Sequence, residues 1–258
     1  MVALLQEYAR RRTLVWALTR RHLIARYRGT ALGFLWTFVH PLLLFAVYAL
    51  VFGVFVRLDV RAYPAFLLAG LLPWTWFAQA LAVGTHSILA DGPWIRQAAF
   101  SPAISPLVAC AATAVNFALE LPVVVGLLAL LGVYPGLGLV ALPAVAAIQL
   151  ALVLGITLAT SALTVRYRDT EHLVAALLPI WFFLTPVLYP LSQVPARYAW
   201  LLDLNPCTHL AALYQAILFE GRLPDPGRLL AAAAFAAAAL ALGAWTQARL
   251  RDRIPEEL

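Results

Sequence analysis

No lysine occurs among the 258 residues; all 18 basic residues are arginine. A Walker A loop needs its lysine on the phosphates, and a pyridoxal enzyme needs one for its Schiff base, so both chemistries are excluded here. Cysteine is nearly as scarce. Cys110 and Cys207 form no C-x-x-C pair, and two thiols cannot build a disulfide framework. The five histidines (His22, His40, His86, His172, His209) show no H-E-x-x-H zinc spacing, and none of the five serines sits in a G-x-S-x-G elbow. Charge is sparse too: 12% of residues are charged, against about 25% in an average soluble domain, while 64% are hydrophobic. A single globule cannot enclose that much apolar surface, and lipid is the solvent it fits. The net charge of +6 then reads as attraction to a membrane surface rather than to nucleic acid.

A bilayer core of ~30 Å takes about 20 apolar residues per helix. Five clear stretches approach this length, at 34–56, 64–89, 106–131, 139–163 and 228–245. A further one, 172–189, carries Pro179 and Pro186 and is expected to kink. Between them lie two shorter apolar pieces, 198–204 and 210–219, separated by Asn205-Pro206. Neither can cross, so they are expected to form two short helices that re-enter one side within 196–220.

Arginine placement orients the chain. With six spans, one side receives Arg10, Arg11, Arg12, Arg20, Arg21, Arg26, Arg28, Arg96, Arg166, Arg168, Arg249, Arg251 and Arg253. The other side receives Arg57, Arg61, Arg197, Arg222 and Arg228. The positive-inside rule puts both termini in the cytoplasm and the re-entrant pair outside. Seven arginines precede the first long apolar run, which is not the pattern of a cleavable signal. Apolar positions at Leu4, Tyr8, Val15, Leu18 and His22 instead predict a helix in the interface plane, with a basic topogenic tail as the alternative. The expected fold is an all-α polytopic membrane protein. It comprises a cytoplasmic segment 1–33, a six-span domain 34–253 and a tail 254–258.

Several segments suggest chemistry. In the loop 91–102, Asp91 suits an N-cap, Pro93 a first helical turn and Pro102 a stop. The short helix so defined carries Trp94 and Phe100 at its ends, Ile95 between them and one charge, Arg96. An apolar knob in the cytoplasm fits a groove on another protein; headgroup anchoring is the alternative. Phe34, Phe38, Phe45, Tyr48, Phe52 and Phe55, with Pro41, recur at alternating spacings of four and three and form one stripe along the first span. Such rings stack on sugars or pack against neighbouring helices; Trp74, Trp76 and Phe77 add to them in the second span. Glu120 lies deep in the third span, one turn after Asn116. An ionised carboxylate there costs at least ~2.5–3.5 kcal/mol, so it should face protein or water. Arg166, Arg168, Asp169 and Glu171 at the next junction read either as an ion-pair cluster or as a solvated loop.

The segment Arg26-Tyr27-Arg28-Gly29-Thr30-Ala31-Leu32-Gly33-Phe34-Leu35-Trp36, with His40-Pro41, resembles the opening of the membrane subunits of type-2 ABC exporters of polysaccharides. Phe100-Ser101-Pro102, Arg166-Tyr167-Arg168-Asp169, Thr185-Pro186-Val187-Leu188-Tyr189-Pro190 and Leu204-Asn205-Pro206 extend the resemblance in order along the chain. His40 and Gln215 depart from the family's usual asparagine and arginine.

The resemblance implies a non-catalytic permease of the bacterial inner membrane that exports O-antigen, capsule or teichoic acid. Its implied partners are a second copy of itself, two ABC ATPase subunits, membrane lipid and an undecaprenyl-diphosphate-linked glycan, with no nucleic acid. ATP and Mg belong to the ATPase, and this chain carries no cofactor or metal. It implies further that Trp94, Ile95, Arg96 and Phe100 form a coupling helix seated in the ATPase. Arg26, Tyr27 and Arg28 engage the lipid diphosphate or gate its access, since guanidinium groups pair bidentately with phosphate; ordinary anchoring to anionic lipid is the alternative. Phe34, Phe38, Phe45, Tyr48, Trp74, Trp76 and Glu120 line the channel, and Trp200, Asn205 and His209 close its outer mouth. The rival readings are a type-2 ABC exporter of drugs or lipids and a proton-coupled secondary transporter centred on Glu120. The second needs no ATPase, but the sequence shows no paired repeat with broken helices.

Overall fold

The computed structural model describes residues 8, 10–29, 31–98, 100–251 and 253–258. Leu4 and the side chains of Arg26, Tyr27 and Phe34 lie outside the described residues. Every regular element among those described is helical. Helix α1 (Arg12–Tyr27) precedes α2 (Trp36–Tyr48), which runs on as a π-helix over Ala49–Phe55. Next come α3 (Tyr63–Ala90), the short α4 (Gly92–Ala98), α5 (Ile104–Leu130) and α6 (Leu142–Arg166). Helix α7 (Asp169–Phe183) is followed by α8 (Ala199–Asp203), α9 (Pro206–Leu218), α10 (Pro226–Leu250) and the single turn α11 (Ile254–Glu257).

Among the described residues, five segments are long and apolar enough to cross a membrane: Trp36–Phe55, Tyr63–Ala90, Ile104–Leu130, Leu137–Arg166 and Pro226–Leu250. The chain is a multi-pass membrane protein. Helix α3 is its axis. It is apolar on all sides and buried along most of its length, because α2, α5, α6, α7 and α9 pack around it. Small residues set the closest approaches. A side chain on Gly84 would run into Thr157 of α6, and one on Gly155 would strike the backbone of α10 at Ala239 and Leu240. Backbones approach this closely only where Cβ atoms are missing or small.

The expected kinked span at 172–189 is helical only as far as Phe183. Pro186 disfavours the α conformation at Thr185, and Val187 N–H instead donates back to the Thr185 carbonyl in a tight turn. The chain nevertheless follows α3 along its length. Near one end His86 Nδ1 lies 3.0 Å from Glu171 Oε2; at the other, Tyr63 OH donates to the Leu188 carbonyl at 3.0 Å. At 1.5 Å per residue, Tyr63 and His86 are about 35 Å apart along the helix.

The first span also differs from a uniform α-helix. Its π segment has more residues per turn, so the aromatic stripe does not continue straight. Tyr48 and Phe52 stay on the core side while Phe55 turns out to become largely exposed.

The face of α1 expected to lie on lipid packs partly on the bundle instead. Leu14, Val15 and Leu18 rest against a second apolar cluster made by Ile88, Ile95, Phe100, Ile104, Val108 and Val165. Trp16 and Ile24 are the large apolar side chains exposed on this helix among the described residues. A packed apolar surface at the end of the bundle competes for the same stripe that lipid would cover.

Candidate functional site

A cavity of about 610 Å³ opens between α2, α3, α5 and α7. Its walls are aromatic and its polar groups are few. Tyr48 meets Phe182 with ring centroids 5.5 Å apart, and Phe182 meets Trp74 at 5.4 Å. Trp76 stacks on Phe117 at 4.3 Å. The polar lining comes from Thr37, His40, Thr75, Gln79, Thr113, Asn116 and Glu120. Asn116 Oδ1 and Trp76 Nε1 are buried at this wall with no hydrogen-bond partner among the described residues. A buried polar atom left unmatched costs about 1–3 kcal/mol, so the wall favours an occupant that offers hydrogen bonds, such as water or a hydroxyl.

Of the residues expected along a channel, Tyr48, Trp74, Trp76 and Glu120 border this cavity. Phe38 does not. It borders a neighbouring crevice between α2, α3 and α5 that also reaches Glu120. Phe45 packs on the main core. Gln79, Thr75 and Phe182 complete the cavity and were not singled out in the sequence; Gln79 is four residues after Thr75, the spacing of one helix face.

The end of the bundle that carries most arginines is tied together by α4. This helix spans Gly92–Ala98 rather than the whole of 91–102. Trp94 is 51% exposed and Arg96 also points outward. Phe100 and Ile95 are not presented with them. They are only 6% and 5% exposed and belong to the second apolar cluster, so the expected knob is reduced to Trp94. Helix α1 leans on the same element: the Arg21 guanidinium carbon sits 4.8 Å over the Trp94 ring, and Arg21 Nη2 lies 3.6 Å from Asp91 Oδ1. Tyr8 OH donates to the Ala103 carbonyl at 2.9 Å. The charges at 166–171 do not form one cluster. Arg166 pairs with Glu257 at 3.1 Å, and Glu171 with His86.

At the opposite end the short helix pair is present, and it is internally held. Asn205 caps α9: its Oδ1 accepts from Cys207 N–H at 3.0 Å and from Trp181 Nε1 at 2.8 Å. Its Nδ2 donates to the Leu184 carbonyl and to Thr185 Oγ1. His209 is buried, with Nε2 2.8 Å from the Asp203 carbonyl and its ring stacked near Phe235. Trp200 alone of the three expected gate residues lies out on the surface, 62% exposed. Gln215 reaches from α9 to donate to the Pro186 carbonyl at 2.9 Å, joining that helix to the broken end of the α7 segment.

The sequence model of the ABC-2 type transporter family matches residues 13–219. The chain belongs to the ABC-2 type transporter family. It is similar to the O-antigen export system permease protein RfbA of Myxococcus xanthus, with 40% identity over 236 residues that cover 91% of both chains. It is also similar to two proteins of the same description from Klebsiella pneumoniae, at 29% and 28% identity over 211 residues, covering 81% of this chain and 82% of theirs. As an ABC-2 member the chain is the non-catalytic membrane component of its transporter.

Proposed function

We propose that this ABC-2 chain is the transmembrane subunit of an ATP-driven exporter that moves a lipid-linked polysaccharide, of the O-antigen, capsule or teichoic-acid kind, across a bacterial cytoplasmic membrane. The identity with the Myxococcus xanthus O-antigen permease, 40% over nearly the full length of both chains, carries the reading. In it, two copies of the chain work with two separate ATPase subunits, which bind ATP and Mg. Residues 169–189 make the sixth crossing, supported by the hydrogen bonds that hold the segment to both ends of α3. The arginine-rich end faces the cytoplasm, and the pair α8–α9 closes the outer side.

Each group then has a task. Trp94 and Arg96 meet the ATPase, while Ile95 and Phe100 anchor the helix that carries them. Arg26 and Arg28, flanking Tyr27, engage the carrier's diphosphate, since paired guanidinium groups match phosphate oxygens. The cavity rings offer flat apolar faces to the C–H sides of sugars, and Asn116, Gln79 and Glu120 offer partners to their hydroxyls. Few strong contacts suit a polymer that must keep moving.

Purification from the native membrane in mild detergent tests this. An ATPase is expected to come with the chain in stoichiometric amount and to be lost from the Trp94→Ala variant. Cells lacking the chain are expected to keep their lipid-linked glycan inside. Isolation with no ATPase, or a normal surface glycan in the deletion strain, would overturn the proposal.

A further inference from the structure

Residues 254–258 follow the last span and pack where that span ends. Ile254 is 1% exposed and inserts into the second apolar cluster beside Ile95, Phe100, Ile88 and Val165. Leu258 lies on Gly92, the first residue of α4: a Cβ placed on Gly92 comes 3.2 Å from Leu258 Cδ2. Glu257 pairs with Arg166 at the end of α6. Two N–H groups, of Glu257 and Leu258, donate back to Arg253 and Ile254 and close the turn. An aliphatic residue, an acidic residue and a second aliphatic residue thus engage the cluster, α6 and α4 respectively.

We infer that residues 254–258 form a clasp that holds α4 in register with the ends of α5 and α6, so that force on α4 reaches the bundle. The role rests on the reading of α4 as the element an ATPase pushes. Helix α4 has seven residues, too few to be stable alone in water. Its apolar side consists of Ile95, with Phe100 just beyond it, and the clasp supplies Ile254 as one of the surfaces they rest on. Gly92 matters here because a side chain on it would press on the Leu258 methyl, which would have to give by a few tenths of an ångström. With the clasp open, α4 tilts away from the cluster, and its displacement is absorbed before it reaches α5 and α6.

The test uses the full chain with its ATPase in membrane vesicles. Ile254→Asp places a carboxylate in the apolar cluster and opens the clasp. The expected result is that the ATPase still co-purifies, while ATP-driven export falls roughly tenfold. In an Ile95→Cys chain the new thiol is expected to be protected from maleimide and to become reactive when Ile254→Asp is added; Cys110 and Cys207 are both buried and contribute little background. A tether separates positioning from general damage. A Cβ on Gly92 lies 3.9 Å from Leu258 Cβ, within the ~3.5–4.5 Å that disulfides span. Gly92→Cys with Leu258→Cys is expected to cross-link on oxidation, to restore export in the Ile254→Asp background and to lose it again on reduction.

Unchanged export in Ile254→Asp, a tether that does not form, or a tether that forms without rescue while the ATPase stays bound would each overturn the inference. Should no ATPase accompany even the unaltered chain, the proposed function fails. The maleimide and cross-linking results then still decide whether the clasp holds α4.

Discussion

Two sides of the bundle are built on different rules. On one, α6 and α10 meet backbone to backbone: a side chain on Gly243 would strike the Gly155 carbonyl, and one on Gly155 would strike α10. On the other, α2 and α7 meet their neighbours through side chains, rings foremost among them, with no such close approach of backbones among the described glycines. Apart from Thr37, no residue of Trp36–Phe55 is buried among those described, and in α7 only Phe182 is. Leu43, Val47 and Leu50 of α2 and Leu173, Leu177 and Ile180 of α7 face outward. The closely seamed side has no room to change. The ring-lined side borders the cavity, and aromatic contacts worth about 0.5–1.5 kcal/mol each can be exchanged for one another. A scaffold and a movable wall are therefore distinguishable by how near their backbones lie.

That contrast breaks most severely at the seam. Gly243→Leu is expected to destabilise by more than the ~1–3 kcal/mol typical of overpacking, because the atoms it meets are backbone and cannot rotate away. Loss of monodisperse protein and a large drop in Tm in detergent would register it. Asn205→Ala comes next. It removes a helix cap and leaves Trp181 Nε1 without its acceptor, at an expected cost of about 1–3 kcal/mol, read as a lower Tm with faster hydrogen exchange at the Cys207 amide.

On the cavity side, Tyr48→Leu is expected to cost no more than ~0.5–1.5 kcal/mol beyond its lost area, yet to slow export in vesicles. Equal export with a large fall in Tm would erase the distinction between scaffold and wall. His86→Ala should be the smallest change. Its partner Glu171 is about half exposed, so the pair contributes at most ~1 kcal/mol, and salt should reduce the difference in Tm further.

Much of this was legible in the residues. Hydropathy located five spans to within a few residues of their ends, because a long apolar run has no other stable place. Asn205-Pro206 carried the signal of a helix start, a capping side chain followed by proline at the first helical position, and α9 begins there. The cavity was half legible. Tyr48, Trp74, Trp76 and Glu120 stood out by residue type, whereas Gln79 and Phe182 join them only because α3 and α7 happen to face each other. The direction of α4 was not legible at all. Trp94 and Phe100 look alike as exposed aromatics in a short loop, and only the cluster under Phe100, completed by Ile254 from the far end of the chain, separates them. Likewise, Asn205 and His209 read as candidates for a gate because they are polar in an apolar stretch. What the sequence did not show is what they bond: Asn205 meets Trp181, Thr185 and the Cys207 amide, and His209 the Asp203 carbonyl.

The contact between Gly155 and Gly243 has one more consequence. Between Leu229 and Leu242, α10 is mostly alanine, with Phe235 the one bulky ring. A surface so uniform offers few landmarks to tell one alignment from the next. Sliding it by one residue shifts it ~1.5 Å and turns it about 100°, and brings the Cβ of Leu242 or Ala244 towards the Gly155 carbonyl. The missing side chain at Gly243 therefore acts as an index mark, and because Ile254 follows soon after the end of α10, the same mark sets where the clasp will land.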